Sequence, residues 1–391
     1  MTRHPHLVAI ALLITAGMAC AQDPASTPAP AAAAQPAAPA IPAIPAPPAS
    51  PARVRVAGTA FVNADGTPFE WRGITAFRLV EQVAHGREAE AVAYLDWAKG
   101  RGLTVLRVLT MARHLFELTP ADGLAALPRL LILAGERGLH VEVVALADTG
   151  SQEVDIEAHV ASAGKIAAAH PNALLEIANE PFHHTQHPSL HDRATLARLA
   201  ALVPEEVVLA YGSGRTIDDS PEGESGGGDY VTVHMPRGGA PWEHVTALAS
   251  GAALVASYAR PVVSDEPIGA ARVAARGRRD NAPERFRAAA LVTRMTGMHA
   301  TFHYEGGLQA RIPEGPELAS FEAWREAWTL LPGIVDAGSF RAVAGDKGAR
   351  YEVTRADGTW ILTVEGAEPP QGATLVKRWG GSALFRSPAR R

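Results

Sequence analysis

The sequence predicts an α/β chain built as a (β/α)8 TIM barrel, with an N-terminal β-hairpin and a small C-terminal β appendage. Three observations carry this. From residue 71 onward, short apolar runs alternate with amphipathic helical stretches until eight runs have been drawn. The stretch they occupy, within residues 54–334, has the length usual for such a barrel. No Gly-x-Gly-x-x-Gly turn follows the first run, so the runner-up, a doubly wound open sheet binding a dinucleotide, loses its main support.

In chain order, Met1–Ala21 carries Arg3 and then an apolar run from Leu7 to Ala19, too short to span a bilayer comfortably. Ala19-Cys20-Ala21 reads as a cleavage site of an export leader (residues 1–21). Cys20 equally marks a lipid anchor, although Gly17 stands where a lipoprotein box usually has an aliphatic residue. The destination expected is the periplasm, the cell surface or the medium. Residues 22–53 are almost wholly Ala and Pro and cannot bury a core, so an extended, semi-stiff spacer is expected.

Val54 to Trp71 alternates around Asn63-Ala64-Asp65-Gly66, a turn signal, and predicts the hairpin. The barrel strands expected are Trp71–Thr75, Leu103–Leu109, His140–Leu146, Leu174–Ala178, Val207–Tyr211, Tyr230–His234, Pro261–Asp265 and Ala300–Tyr304. Helices are expected over Glu88–Lys99, Gly123–Arg137, Asp155–Ala169, Asp192–Leu202, Glu243–Ala259, Pro283–Met295 and Glu317–Leu330. Residues 335–391 change character. Arg350–Thr354, Trp360–Val364 and Thr374–Lys377 are short and β-like, with Gly, Pro and Asp turns between them.

The balance of the 391 residues is ordinary for a globular chain: 47% hydrophobic, 20% charged, formal net charge −5. Without long basic runs it offers nucleic acid no obvious footprint. Cys20 is the sole cysteine, which excludes an intrachain disulfide and a cysteine metal cluster.

The chemistry is concentrated at two strand ends. Leu174-Leu175-Glu176-Ile177-Ala178-Asn179-Glu180-Pro181 is a buried strand stopping on an Asn-Glu pair, and Pro261-Val262-Val263-Ser264-Asp265-Glu266-Pro267 repeats the design. Strand ends of a barrel share one mouth, so Glu180 and Glu266 are expected to face each other there. Two glutamates so placed are what double-displacement glycoside hydrolysis requires, at a separation of about 5–5.5 Å. Arg107 interrupts the apolar Val105-Leu106-Arg107-Val108-Leu109 and must be paired. Glu266 is the partner expected, with Glu176 or Glu142 lower in the barrel as the alternative.

These residues make the chain resemble the clan A retaining glycoside hydrolases, and family 5 above all. The resemblance rests on Asn179-Glu180-Pro181 after strand four, Glu266 after strand seven, and the opening Asp65-Gly66-Thr67-Pro68-Phe69-Glu70-Trp71-Arg72-Gly73. It implies Glu180 as acid/base, Glu266 as nucleophile, Asn179 against the sugar 2-hydroxyl, Arg107 beside the nucleophile and His234 at the mouth. It implies an oligo- or polysaccharide substrate and no cofactor.

Departures accompany it. The family's His-x-Tyr on strand six is here His234-Met235-Pro236, and its strand-eight tryptophan is replaced by Phe302-His303-Tyr304-Glu305. Strand three lacks the family's histidine. His303 and Tyr304 are therefore expected to contact the sugar, with Tyr304 taking over a missing function. Tyr211 and Trp242 are placed as aromatic platforms, whereas Trp324 and Trp328, on one helix face, are expected in the core. The loop 213–228, with Asp218, Asp219, Glu222 and Glu224, is expected to be solvated. His183, His184, His187 and His191 could suggest a metal, but no His-Glu-x-x-His occurs, and no metal is expected. The missing tyrosine and tryptophan also permit a carbohydrate-binding barrel without catalysis, or a structural scaffold of the envelope.

Overall fold

The computed structural model describes residues 50–214, 223, 226–236, 241–268, 272–273, 278–279, 282–333, 337–344 and 348–388. The leader, Cys20 and nearly all of the Ala/Pro spacer lie outside the described residues, as do Asp218, Asp219, Glu222 and Glu224. Among the described residues no helix is long and apolar enough to cross a membrane.

Eight parallel strands form the barrel: β3 (Arg72–Thr75), β4 (Val105–Leu109), β5 (His140–Leu146), β6 (Ala173–Ala178), β7 (Leu209–Gly212), β8 (Val231–His234), β9 (Val262–Glu266) and β12 (His299–Phe302). Their order, β7-β6-β5-β4-β3-β12-β9-β8, is that of a sheet wound on itself, and a parallel bridge from Gly214 to Val233 joins its two ends. The expected strands are all present, each bound within two residues, and a two-stranded antiparallel sheet of β10 (Arg272–Val273) and β11 (Arg278–Arg279) falls between β9 and β12 in the chain. Helices cover the outside: α2 (Glu88–Gly100), α3 (Pro120–Gly135), α4 (Ile156–Ala169), α5 (Arg193–Ala200), α6 (Pro241–Ala247), α7 (Gly251–Tyr258), α8 (Pro283–Met295) and α9 (Gly315–Leu330).

Local chemistry accounts for their starts. Thr119, Asp155 and Asp192 each accept a backbone N–H of the first turn, and Pro283 opens α8. The continuous helix expected over Glu243–Ala259 is broken by a 3-10 turn, Leu248–Ser250, that leads into Gly251. Short α1 (Leu79–Ala84) was not anticipated, because two turns carry too little periodicity to register.

The N-terminal hairpin reverses earlier than expected. β1 (Arg55–Ala57) pairs with β2 (Ala60–Val62) around Gly58, whose φ of 59° suits glycine. The Asn63–Gly66 turn makes a second reversal that returns Phe69 to Phe61. Phe61, Phe69 and Trp71 then plug one end of the barrel with Val105, Leu174, Tyr230 and Val263. Contact with the barrel already begins inside the expected spacer, where Arg53 donates to the Ala168 carbonyl at 2.7 Å.

The C-terminal appendage is a five-stranded antiparallel sheet, larger than the three strands expected. Its order is β13 (Phe340–Ala344), β14 (Ala349–Arg355), β15 (Gly358–Val364), β17 (Ser382–Ser387) and β16 (Thr374–Trp379). One face, with Tyr351, Val353, Trp360, Leu362 and Leu384, merges into the main core. Trp324 and Trp328 are buried in that core too, as expected.

Candidate active site

The barrel interior is layered, and the layers differ in kind. The end plugged by the hairpin is apolar. Above it, where barrels usually place branched aliphatics, Arg107, Glu142, Glu176, Thr232, Asp265 and Thr301 are all fully buried. Arg107 donates from Nε and Nη2 to Glu176 Oε2 at 3.0 and 2.8 Å, and from Nη2 to Asn179 Oδ1 at 3.1 Å. Asp265, Glu142 and Glu266 lie further off, at 3.6, 3.8 and 3.9 Å, and the Phe77 ring covers the guanidinium at 5.3 Å.

The primary partner of Arg107 is therefore Glu176, not Glu266 as expected. Glu176 lies in the same barrel layer, whereas Glu266 sits one layer nearer the mouth. Burial works against the charge of Arg107, but Glu176, Asp265, Glu142 and Glu266 outweigh it and hold the guanidinium above its ordinary range.

Four carboxylates around one guanidinium leave an excess of negative charge, which protons absorb. Burial pushes Glu142 well above the usual carboxylate range, reinforced by Asp265 and Glu176. Burial likewise pushes Asp265 up to about 7, against the pull of Arg107. Hydroxyls complete the layer: Tyr230 donates to Glu142 Oε1 at 2.9 Å, and Thr301 donates to Asp265 Oδ1 at 3.1 Å. Oxygens of Glu142, Glu176 and Asp265 converge within 4.8 Å, as metal ligands do. A divalent cation there would have to share the space with Arg107, so the residues fit protons better than a metal.

Glu266 reaches the mouth because of a bulge. Val233 pairs with Ser264 and His234 with Glu266, so Asp265 is the extra residue on its strand. A bulge re-aims side chains, and here two consecutive acids, Asp265 and Glu266, both turn toward Arg107. Glu180 is set differently. Its φ of 44° is left-handed, uncommon for a residue with a Cβ. Its N–H donates to Ser213 Oγ at 3.3 Å. Gln186, which no sequence signal singled out, is buried and holds this turn by donating to the carbonyls of Leu146 and Asn179.

The two glutamates meet at one imidazole. His234 places Nδ1 2.9 Å from Glu180 Oε1 and Nε2 3.8 Å from Glu266 Oε1. Burial disfavours charge on His234, but Glu266 and Glu180 outweigh burial and raise its pKa. Burial also pushes Glu180 up, but its hydrogen bond and charge interaction with His234 win and hold the carboxyl below its usual range. Glu180 and His234 thus behave as a pair sharing one proton. On the other side of Glu266, His303 brings Nε2 to 3.8 Å from Oε2, while its Nδ1 lies 3.0 Å from Thr75 Oγ1.

Asn179, Glu180, Glu266 and His303 line one cavity of about 680 Å³, together with Phe77, His114, Leu115, Glu305, Leu308, Gln309 and Arg311. Tyr211 and Trp242 are half-buried, pack on the main core and are not among its lining residues. Tyr304 departs from expectation. It is fully buried, its hydroxyl 2.9 Å from that of Tyr94 and donating to the Arg311 carbonyl, so it does not reach the cavity. Strand alternation explains this, since neighbours His303 and Tyr304 must point to opposite sides. The histidines after β6 are not gathered as ligands. His183 Nδ1 lies 3.0 Å from Thr185 Oγ1 and His187 Nδ1 2.8 Å from Ser189 Oγ.

No family model matches the chain, and no curated protein does. Solved structures do. A candidate glycoside hydrolase from Bacteroides vulgatus is 17% identical, with a TM-score of 0.56 over 81% of this chain and 67% of the other. A glycoside hydrolase family 5 structure from the same organism is 15% identical, with a TM-score of 0.53 over 80% of each chain. The family 5 mannosidase from Rhizomucor miehei is 13% identical, with a TM-score of 0.53 over 72% of this chain and 97% of the other. At such identities the likeness is one of fold. By fold, this chain is a (β/α)8 barrel similar to those of family 5 glycoside hydrolases, with two glutamates meeting across one histidine at its mouth.

Proposed function

We propose that the protein is an exported retaining glycoside hydrolase acting on β-linked glycans. The observation that carries this reading is the placement of Glu180 and Glu266 on either side of His234, in one cavity at the C-terminal ends of β6 and β9. In this reading Glu266 attacks the anomeric carbon while Glu180 passes a proton to the departing glycosidic oxygen, giving a glycosyl-enzyme. Glu180 then takes a proton from water as the water attacks and frees Glu266. The proton shared by Glu180 and His234 supplies the acid, and Asn179, held by Arg107, is positioned for the sugar 2-hydroxyl. Export rests on the leader at residues 1–21, with Cys20 either removed or lipidated.

The test is a panel of chromogenic β-glycosides and polysaccharides, with proton NMR of the first product formed. Wild type is expected to release product with retained configuration, and Glu266→Gln to lose at least about a thousandfold of that rate. Glycan binding that survives in both Glu180→Gln and Glu266→Gln, with wild type inert on every substrate, would replace this reading with a carbohydrate-binding barrel. That second reading draws on Glu180, whose carboxyl is held low although a general acid needs its proton.

A further inference from the structure

We propose that His303 is a positioning residue for Glu266, held in its Nε2–H tautomer by the Glu266 carboxylate and the buried hydroxyl of Thr75 together. The inference rests on the reading of Glu266 as the attacking carboxylate.

Each oxygen of Glu266 has its own neighbours. Oε1 faces Arg107 at 3.9 Å and His234 at 3.8 Å, whereas Oε2 faces His303 Nε2 at 3.8 Å. Met235 is buried, Pro236 has no side-chain donor, and the Tyr304 hydroxyl is spent on Tyr94 and the Arg311 carbonyl. His303 comes within 3.8 Å of Oε2, whereas the shortest approaches of Arg107 and His234 are to Oε1.

The ring can serve only in one tautomer. A neutral imidazole carries its proton on one nitrogen and a lone pair on the other. With the proton on Nδ1, a lone pair would confront a carboxylate. With the proton on Nε2, an N–H dipole points at it. The carboxylate favours the second arrangement, and Thr75 completes it, because its hydroxyl, 3.0 Å from Nδ1, can then donate to that nitrogen. Thr75 is fully buried and His303 nearly so, which shields the pair from water. Register fixes Thr75 in place, since Thr75 on β3 lies beside Arg107 on β4. A separation of 3.8 Å is long for a hydrogen bond, but unliganded sites commonly tighten only with substrate.

The charge on Glu266 has several other determinants: Arg107 from β4, His234 from β8, Glu180 after β6, Asp265 on its own strand, and Glu142 and Glu176 across the guanidinium. The test must isolate the hydroxyl. Thr75→Val keeps the volume and removes the donor, while Thr75→Ser restores it. His303→Leu removes the ring, and His303→Gln keeps an N–H donor.

Carboxyl carbon NMR of glutamate-labelled protein, with Glu266 assigned from the signal lost in Glu266→Gln, reads the effect without turnover. The titration midpoint of Glu266 is expected to lie about one pH unit higher in Thr75→Val and His303→Leu. Thr75→Ser and His303→Gln should stay close to wild type. Nitrogen NMR of the imidazoles should find the His303 proton on Nε2 in wild type. If hydrolysis is found, Thr75→Val should cut kcat/KM about tenfold on the acid limb and much less at the optimum.

A wild-type midpoint in both Thr75→Val and His303→Leu would overturn the proposal. So would Thr75→Ser behaving like Thr75→Val, since packing rather than the hydroxyl would then be responsible. A wild type inert on all glycosides would refute the wider reading and leave the NMR result standing by itself.

Discussion

Asp265 shows how one side chain ties the site to stability. Its carboxyl titrates from an ordinary value near 3.8 in the unfolded chain and is pushed up to about 7 by burial in the fold. Between those values the folded protein holds a proton that the unfolded chain has released. Stability therefore falls as pH rises from about 4 to about 7, and levels off above. Asp265→Asn keeps an acceptor for Thr301 and removes that titration. Melting temperatures at pH 4.5 and 7.5 are expected to differ less in the variant than in wild type. Parallel losses in both would show that Asp265 is ionised throughout. Glu180 makes the complementary point, for a left-handed backbone at a residue with a side chain costs on the order of 1–3 kcal/mol. The turn is held by Ser213 and Gln186, residues with no chemistry of their own.

At the level of elements, the ends of β6 and β7 depend on one glycine. Gly212 has φ 137°, and a Cβ there would stand 2.2 Å from the Ala178 carbonyl oxygen and 3.1 Å from Pro181 Cδ. The close approach lets β7 run beside the Asn-Glu-Pro turn, with Ser213 following directly. Gly212→Ala should lower stability by about 1–3 kcal/mol and displace Glu180. Urea unfolding measures the first effect; loss of hydrolysis beyond that of a surface Gly→Ala control measures the second. An unchanged midpoint would mean that the strand end has room to move. The bulge at Asp265 works on the same scale. A regular ladder would have aimed Glu266 and Asp265 to opposite sides.

For the whole molecule, the C-terminal sheet and the barrel belong to one compact unit spanning Ile44–Arg391. Apolar residues of the sheet continue the barrel core. Polar ties reinforce the join: Ser382 donates to Glu284 on α8 at 2.9 Å, Arg287 lies 5.0 Å from the Trp379 ring, and Lys377 pairs with Glu326 on α9. Barrel and sheet are therefore expected to unfold in one transition, with calorimetric and van't Hoff enthalpies agreeing. Two resolved transitions, or a soluble folded barrel after removal of residues 337–391, would show the sheet to be an independent passenger.

Much of this was legible in the sequence. Eight largely apolar runs with helical stretches between them specify a parallel barrel, because strands buried on both faces are mostly apolar and crossovers need helices. Glu180 and Glu266 stood out because charge ending such a run is costly. Arg107 could be named as a buried cation for the same reason. Its partner could not be named, since Glu142, Glu176, Asp265 and Glu266 all satisfy the pattern and only register decides which oxygen comes within 3 Å. Nor could sequence find His234 between two carboxylates, a bulge turning Glu266 inward, Tyr304 facing away, or Thr75 beside His303. Periodicity along a chain reports which face each residue takes. Contacts between residues on different strands depend on how the strands align when the sheet closes.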